Sequence, residues 1–419
     1  MSPPQYEAPI VDVLLLDGAA IVNMLQPGAS KTFEEYAQQI FLPYLKRQLQ
    51  DVDRVDIVWD EYVPDSLKAT TRANRGKGIR RRVQPNTRLP GNWQAFLRVD
   101  ENKTELFAYL AEQSVLINCE EHQHVISTKG TEVVCNSPLD TTRLSPCEHE
   151  EADTRLLLHV ADAAKQGHRK LTVRTVDTDV LVLAIALRNK MNLNELWVAL
   201  GTGKHLKYFP VHCISQLLGP AKSRGLLAFH AFTGCDQTSS FANRGKKTAW
   251  SAWEVFEQVT VAFEALSNIP TQETIEDVLP QLERFVVVMY DRASSCVGVN
   301  QARKELFTHK GRSIDAIPPT SEALRQHIKR SAYLAGHCWG QALVLAPQLP
   351  CPSNWGWIRG PTRMWEPFWT TLAQASESCQ ELLRCGCNVD KGCRGRCKCV
   401  KAEMLCTALC KCGGSCDRV

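Results

Sequence analysis

The chain has 419 residues, of which 44% are hydrophobic and 22% are charged, and its formal net charge at pH 7 is +4. These are globular proportions, with room for two or three domains, and the near-neutral total requires local patches for any attraction to nucleic acid. No apolar run approaches the roughly 20 residues of a membrane span. Residues 1–5 show no secretory pattern, so we expect an intracellular protein without membrane association.

Two short apolar runs near the start predict buried parallel strands, and each ends at an acid. Val11–Leu16 leads to Asp17, and Arg54–Trp59 leads to Asp60. The segment Thr32–Leu49 between them has the apolar spacing of a helix. Strand, helix and strand in this order predict the βαβ unit of a parallel sheet.

A third predicted strand also leads to acids. Lys170–Arg174 alternates polar and apolar residues, and Asp177 and Asp179 follow it. A period of two would place these two carboxylates on the same side of the backbone. A turn facing water is the alternative, and any single strand-end aspartate could cap a helix. Because parallel α/β sheets place their sites at the carboxyl ends of the strands, three such ends together favour a cluster.

Two further segments add acidic residues. Glu151 and Asp153 begin a predicted helix, where acids also favour the helix dipole for purely structural reasons. Asp236 precedes a turn and the basic start of another helix, a pattern suited to backbone phosphate. The basic residues of that start are Arg244, Lys246 and Lys247.

A strongly basic run follows the strand-end Asp60. It predicts a loop or loose helical arch that attracts a polyanion, with a solvated surface loop or a nuclear-localisation cluster as alternatives. Its members are Lys68, Arg72, Arg75, Lys77, Arg80, Arg81 and Arg82.

The ordered set of motifs resembles the PIN-like, flap-endonuclease-type (XPG-like) nuclease superfamily over roughly residues 10–265. The matching motifs are the strand-Asp-Gly at Asp17, the paired acids at Glu151 and Asp153, the Asp-x-Asp at Asp177, and the Gly-x-Asp at Asp236. The resemblance implies an α/β, PIN-like three-layer fold with a parallel central sheet. It also implies a helical arch at the basic run, and larger metazoan proteins of domesticated-transposon appearance share such a domain.

Convergence of so many carboxylates on one edge requires cations between them. Carboxylate oxygen and retained water select Mg²⁺ or Mn²⁺, and two such ions about 4 Å apart could hold a phosphodiester and activate a water. We predict an inner set of Asp17, Asp60, Glu151 and Asp177, with Asp153, Asp179 and Asp236 holding the second ion or its waters. Lys68, Arg72 and Arg75 would steady the scissile phosphate. Arg80, Arg81, Arg82, Arg244, Lys246 and Lys247 would contact the nucleic acid.

Residues 266–378 predict a helical extension with a tryptophan-rich connector. Thr274–Tyr290 and Ser321–Leu345 show helical spacing. The four tryptophans of the connector could stack on bases, but we expect them to pack against the core. They are Trp355, Trp357, Trp365 and Trp369.

Ten of the 18 cysteines lie in the last predicted unit, residues 379–419. Nine of them resemble the tesmin-type CXC module, which implies a cluster of three zinc ions that supplies the folding energy. A disulfide knot is the alternative, disfavoured by the expected compartment. Basic residues outnumber acids here, so Arg394, Arg396 and Lys398 are predicted to contact DNA. The nine cysteines are Cys385, Cys387, Cys393, Cys397, Cys399, Cys406, Cys410, Cys412 and Cys416.

The leading hypothesis is a nuclear, metal-dependent phosphodiesterase that cuts structured or single-stranded nucleic acid, with DNA favoured over RNA, and docks through its zinc tail. The alternative is a catalytically inactive nucleic-acid-binding or chromatin-associated protein built on the same fold. A redox or metal-storage protein ranks last, because it leaves residues 1–378 unexplained.

Overall fold

A computed structural model describes residues 4–73, 78–308 and 316–370, and in the tail residues 385–387, 393–394, 397–401, 405–406 and 410–413. None of the helices in these ranges combines the length and the apolar character needed to cross a bilayer.

A mostly parallel β-sheet forms the centre of the molecule. In the described part of the chain its seven strands lie in the order β4-β3-β2-β1-β5-β6-β7, with antiparallel pairing only for the edge strands β4 and β7. The predicted α/β class with a parallel central sheet is therefore confirmed. The strands are β1 Val13–Asp17, β2 Arg54–Val58, β3 His124–Lys129, β4 Glu132–Cys135, β5 Lys170–Thr175, β6 Glu195–Leu200 and β7 Lys207–Pro210.

The continuous apolar run of β1 arises because both faces of the sheet are covered. Val13 and Leu15 point into one apolar core, and Leu14 and Leu16 point into the core on the opposite face. Successive side chains of a strand alternate between its two faces. A strand covered on both faces therefore buries every side chain and is apolar along most of its length. The result is a three-layer α/β arrangement.

Helices of both layers flank this sheet. In the layer beside Leu14, Phe33–Leu49 is interrupted by a π-helical turn at Ala37–Phe41. The helices are α1 Gly18–Met24, α2 Phe33–Tyr36, α3 Leu42–Leu49, α4 Leu67–Ala73, α5 Trp93–Phe96, α6 Asp100–Ser114, α7 Ala152–Lys165, α8 Thr178–Leu187, α9 Val211–Phe232, α10 Lys246–Val255, α11 Val259–Leu266, α12 Gln272–Tyr290, α13 Val299–Thr308, α14 Ser321–Ala332 and, in the tail, α15 Lys398–Lys401.

The extension after α11 packs on the same core as the sheet. One continuous apolar cluster runs from Val13 of β1 to Trp365. A π-helical turn, Tyr333–Cys338, continues α14, and a small hairpin of β8 Trp357–Arg359 and β9 Trp365–Pro367 follows. Three of the four connector tryptophans are buried as expected, whereas Trp369 is 67% exposed.

The order in which strands are added to the sheet reverses between the parallel neighbours β1 and β5. From β1 the sheet grows outward through β2 and β3 on one side and through β5 and β6 on the other. Such a switch point opens a crevice at the carboxyl ends of the strands, which is where open α/β sheets bind their ligands. Asp17 is the last residue of β1 and therefore lies at this crevice.

Candidate active site

Asp17 lies buried at the switch point, with only 7% of its surface exposed. Its Oδ1 accepts from Ala20 N (3.0 Å), which caps α1, and its Oδ2 accepts from Thr175 Oγ1 (2.9 Å) on the neighbouring strand. Burial, reinforced by the charges of Asp60 and Asp177, raises the pKa of Asp17 to about 7. In the ion-free protein this carboxyl is therefore about half protonated at neutral pH.

Asp60 connects the second strand to the helix that carries the paired acids. It follows β2 by two residues, and its Oδ1 accepts from Ala152 N (2.9 Å) at the start of α7. This bond satisfies one of the free N–H groups of the helix terminus and places Glu151 and Asp153 beside the end of β2. The prediction that these acids begin a helix is confirmed.

Asp153 is the second acid buried deeply in the cluster. Burial, together with the charges of Asp177, Asp17 and Asp60, raises the pKa of the Asp153 carboxyl well above its ordinary value. Four carboxyls therefore interact with one another, from the end of β1, the loop after β2, the first turn of α7 and the N-cap of α8. Two negative charges in such a space disfavour each other unless a cation or a proton intervenes.

The expected placement of Asp177 and Asp179 on one side of a strand is wrong. Strand β5 ends at Thr175, and α8 begins at Thr178 because Asp177 caps it, with Asp179 N donating to Asp177 Oδ1 (2.8 Å). The helix that follows Asp177 is apolar on all sides, so its sequence shows no helical alternation of polar and apolar residues. Burial and the charges of Asp179 and Asp236 raise the pKa of Asp177 above its ordinary value.

Asp179 turns instead toward α9. Its Oδ1 lies 2.8 Å from His230 Nε2. Although burial alone would raise it, the hydrogen bond and the charge of His230 lower the pKa of Asp179 below its ordinary value. Asp179 is therefore the ionised member of the group, next to neighbours that are easily protonated.

Lys68 on α4 supplies a positive charge to this cluster. Its ammonium forms an ion pair with Glu151 and opposes the rise in the pKa of Asp153 and of Asp177. Asp236 is exposed and shares with Lys68, Asp60 and Glu151 the wall of a narrow cleft of about 60 Å³. The cluster is therefore open to solvent on this side.

Arg72, one turn after Lys68, is occupied by other partners. Its guanidinium pairs with Glu150 and with Asp100 (2.9 Å) and lies 5.4 Å from the ring centroid of Tyr62. It thus holds α4 against the loop before α7 and the start of α6. Arg75 lies outside the described residues.

The residue types present fit hard divalent cations. Carboxylates dominate the lining of the crevice, and carboxylate-rich sets of this kind suit Mg²⁺ or Mn²⁺. Within the described residues, only cysteines of the tail bring three or more ligand atoms within 4.8 Å of one another, so the carboxylates of the crevice stand farther apart than that. An ion would therefore draw the carboxylates closer, displacing protons from Asp17 and Asp153 and the ammonium of Lys68.

The arginine cluster after the basic run contacts α6. Arg80 Nη1 donates to Asn102 Oδ1 (2.9 Å), and its Nη2 pairs with Glu105. Arg81 Nη1 donates to Arg88 O (3.2 Å), whereas Arg82 is exposed. Of these three predicted nucleic-acid contacts, Arg80 and Arg82 are exposed and Arg81 is half-buried.

The basic residues at the start of α10 also differ in their surroundings. Lys246 Nζ donates to His230 O (3.0 Å), Thr233 Oγ1 (3.1 Å) and Gly234 O (2.6 Å), so it satisfies the end of α9. Lys247 beside it is exposed. Arg244 lies 4.7 Å from the ring centroid of Tyr290, a cation–π contact.

The tail forms a compact group of thiols. The Sγ atoms of Cys385, Cys393 and Cys412 stand 3.6 to 3.8 Å apart. Four thiolates around one zinc ion at about 2.3 Å stand about 3.8 Å from each other, so this spacing suits the metal. The described tail cysteines are free thiols rather than disulfides.

Three four-cysteine sets have Sγ atoms within 4.8 Å of one another, and Cys385 belongs to all three. Sharing of ligands between sets is what a cluster with bridging thiolates requires. Arg394 and Lys398 are exposed, while Arg396 and Cys416 lie outside the described residues. The sets are Cys385, Cys387, Cys393 and Cys397; Cys385, Cys397, Cys399 and Cys406; and Cys385, Cys406, Cys410 and Cys412.

Sequence reasoning missed three participants. His230, which holds Asp179, lies in an apolar helix segment 51 residues away and carries no spacing signal. Thr175, which donates to Asp17, looks like an ordinary strand residue. Glu150 accepts from Ser66 Oγ (2.6 Å) and Arg72, and only its position beside Glu151 could have marked it.

No protein-family model and no curated protein matches the chain. Among solved structures, the chain is similar to the D15 protein of bacteriophage T5 co-crystallised with metal ions, with 10% identity and a TM-score of 0.35, over 64% of this chain and 83% of that one. It is also similar to the bacteriophage T5 D15 flap endonuclease in a pseudo-enzyme–product complex with DNA and metal ions, with 10% identity and a TM-score of 0.34, over 77% of this chain and 99% of that one.

Proposed function

We propose that the protein is a phosphodiesterase that hydrolyses nucleic acid with two divalent metal ions bound at the switch point. The observation that carries this proposal is the convergence of Asp17, Asp60, Asp153 and Asp177 on one poorly solvated crevice, where burial and mutual repulsion raise the pKa of Asp17, Asp153 and Asp177. Such crowding disfavours the ion-free charged state and becomes favourable when divalent cations replace the protons. Perturbed carboxyls in a cleft mark a functional site more often than a structural one.

The acidic residues of the crevice would have different roles in metal binding. Asp17, Asp60, Asp177 and, in place of Glu151, the more deeply buried Asp153 would hold the ions in the depth of the crevice, and His230 keeps the neighbouring Asp179 ionised. The bound ions supply Lewis-acid stabilisation and a nucleophilic water. Glu151 and Asp236 stand at the open side, where outer waters of the ions would lie.

Lys68 then has a second role. Metal binding would compete for Glu151 and release the ammonium from its ion pair. A free ammonium at the rim of the crevice would neutralise part of the charge on a scissile phosphate.

Nucleic acid as the substrate class follows from charge. A crevice lined mainly by carboxylates repels a phosphate unless ions bridge the two, and the exposed cations Arg82 and Lys247 supply positive charge elsewhere on the surface. The zinc-bound tail, with Arg394 and Lys398 exposed, would add a second contact to DNA and fits a nuclear protein.

The second candidate function is an inactive binding protein on the same fold. The ion pair between Lys68 and Glu151 favours it, because a lysine that supplies the positive charge of the crevice reduces the need for a metal ion. Retained binding of nucleic acid that is unaffected by chelator and accompanied by no cleavage would support this function.

The test compares wild type with Asp153→Asn and Asp177→Asn on labelled single-stranded, flapped and hairpin DNA and on the matching RNAs. We expect cleavage only with Mg²⁺ or Mn²⁺, and a loss of at least about 100-fold in each variant, more than removal of an outer partner usually causes. Asp51→Asn, an exposed change outside the cluster, is the matched control and should cut as wild type does. Undiminished, metal-dependent cleavage by Asp177→Asn would refute the site.

A further inference from the structure

A cavity of about 460 Å³ opens between α14 and the loop that follows α9. Its volume is within the range of small-molecule sites. Its described lining shares no residue with the cleft beside the acidic crevice. The proposed nuclease site therefore leaves this cavity without a role. The lining comes from residues 239–242, Tyr290, Arg303, residues 317–320, one side of α14 and residues 368–370.

The floor of the cavity is held in place before any ligand binds. His327 of α14 has its Nε2 2.7 Å from Phe232 O, at the end of α9, and its Nδ1 3.3 Å from Ser239 Oγ. The ring of Phe241 lies 5.2 Å from that of His327, and both Phe241 and Leu324 are buried. A site that is already formed loses little conformational freedom on binding, which favours affinity for a small molecule.

The lining of this cavity is basic. Within the described residues, its charged side chains are the guanidiniums of Arg303 on α13 and Arg330 on α14, and no carboxylate lines it. His327 adds no charge near neutral pH, because burial lowers the pKa of its imidazole to about 4. An anion that enters the cavity is therefore attracted by its walls.

Arg330 is a buried charge without an acid to balance it. Only 5% of its surface is exposed, and its Nη1 donates to Gly356 O (3.1 Å) and, more weakly, to Phe368 O (3.4 Å). No carboxylate of the described residues pairs with it, and burial lowers the pKa of its guanidinium to about 10. Burying a charge is costly unless a partner compensates it, so this guanidinium at a cavity wall indicates an anionic ligand.

The rim of the cavity presents exposed aromatic rings next to this charge. Trp369 is 67% exposed and Phe368 is 40% exposed, and both line the cavity. The Arg330 guanidinium lies 5.8 Å from the centroid of the Trp369 ring. An exposed indole ring can stack on a flat ligand ring. A ligand that joins an anionic group to a flat ring can therefore contact both side chains at once.

We infer that this cavity binds a free mononucleotide, with its phosphate at Arg330 and Arg303 and its base against Trp369. The two guanidiniums and the hydroxyl of Ser240, which also lines the cavity, offer donors from three different elements. A phosphate monoester has three terminal oxygens to accept them, whereas a carboxylate or a phosphodiester within a strand has two. The inference does not depend on the proposed nuclease function, because it uses none of the acids of the crevice.

The test measures binding of AMP to the full chain by calorimetry in buffer without Mg²⁺ or Mn²⁺. AMP should bind once per chain and at least about tenfold more tightly than either of its parts, because only AMP contacts both the guanidiniums and the indole. The parts are adenosine, which lacks the phosphate, and ribose 5-phosphate, which lacks the base. No binding of AMP, or equal affinity for AMP and ribose 5-phosphate, would overturn the inference whatever the nuclease assay shows.

Trp369→Ala tests the stacking contact. It should weaken binding of AMP about tenfold, which corresponds to about 1.4 kcal/mol, and leave binding of ribose 5-phosphate unchanged. Tyr6→Ala is the matched control and should bind AMP as wild type does. Tyr6 is also 67% exposed, and the centroid of its ring also lies 5.8 Å from a cation, Lys207, but it does not line the cavity.

Arg330→Met tests the charge. It should weaken binding of AMP and of ribose 5-phosphate at least about tenfold and leave the affinity for adenosine unchanged, which would show that the cavity is intact. If this variant does not fold, Trp369→Ala decides the question alone. Unchanged AMP affinity in Trp369→Ala would overturn the inference. A 5′-phosphorylated dinucleotide that binds about tenfold more tightly than AMP would assign the cavity to the end of a strand and overturn it as well.

Discussion

Replacing Asp17 by Asn should make the ion-free protein more stable at alkaline pH. Asn is as good a helix cap as Asp, so it can still accept from Ala20 N, and the Thr175 hydroxyl can turn to accept from its amide. What the substitution removes is an ionisable group that is buried among Asp60 and Asp177. The variant therefore isolates the electrostatic cost of the site.

The magnitude follows from the raised pKa of Asp17, about 7 in the folded protein against 3.8 ordinarily. A raised carboxyl pKa means that the folded state holds its proton more tightly than the unfolded chain does. Stability is therefore lost as pH rises from about 4 to about 7 and stays low above that range. The loss integrates to about 0.5 kcal/mol at pH 4 and about 4 kcal/mol at pH 8.

The assay is urea unfolding in chelator at several pH values between about 4 and 8. We expect the free energy of unfolding of Asp17→Asn to match wild type at the acid end and to exceed it by up to about 4 kcal/mol at the alkaline end. Adding Mn²⁺ at 100 times its Kd should stabilise wild type by about 2.7 kcal/mol and the variant by much less.

Asp51→Asn, whose carboxylate faces water, is the control and should follow wild type at every pH. Coincident profiles for Asp17→Asn and wild type in chelator would show that Asp17 is not confined with other carboxylates. The electrostatic basis of the site would then be wrong.

Two further predictions concern the partner of Asp179 and the tail. His230→Phe keeps a ring beside Trp339 but removes the hydrogen bond to Asp179. We therefore expect the affinity for Mn²⁺, measured by calorimetry, to fall about 10- to 100-fold. Unchanged affinity would mean that metal binding does not depend on the contact between His230 and Asp179. Cys385 belongs to three four-cysteine sets and Cys387 to one. Native mass spectrometry should therefore show that Cys385→Ser loses more zinc per chain than Cys387→Ser. Equal losses would contradict a cluster centred on Cys385.

The strand-end acids could be predicted from the sequence because parallel strands impose a common edge. Asp17 and Asp60 follow short apolar runs, and the structure brings them together through the pairing of β1 with β2. The register of β1 with β5 then brings Thr175 next to Asp17. Here local pattern and topology agree, so no long-range information was needed.

Other features of the site depend on contacts that no local pattern encodes. The apolar segment Val180–Leu187 could be a strand or a buried helix by periodicity alone, and the cap at Asp177 decides for the helix. The hairpin of β8 and β9 is joined to α4 by the hydrogen bond that Thr70 Oγ1 donates to Trp365 O, a contact between residues 295 apart in the chain. Side-chain pairing across such separations is a property of the folded chain.

Each of three aspartates in the crevice also caps a helix: Asp17 caps α1, Asp60 holds the first N–H of α7, and Asp177 caps α8. Asn or Ser would cap these helices equally well, without the repulsion between neighbouring carboxylates. A chain that had given up ion chemistry could therefore exchange all three for neutral caps and gain stability. Keeping an acid at each of these helix starts lowers the stability of the ion-free protein, a cost that protonation and the Lys68 ammonium offset in part.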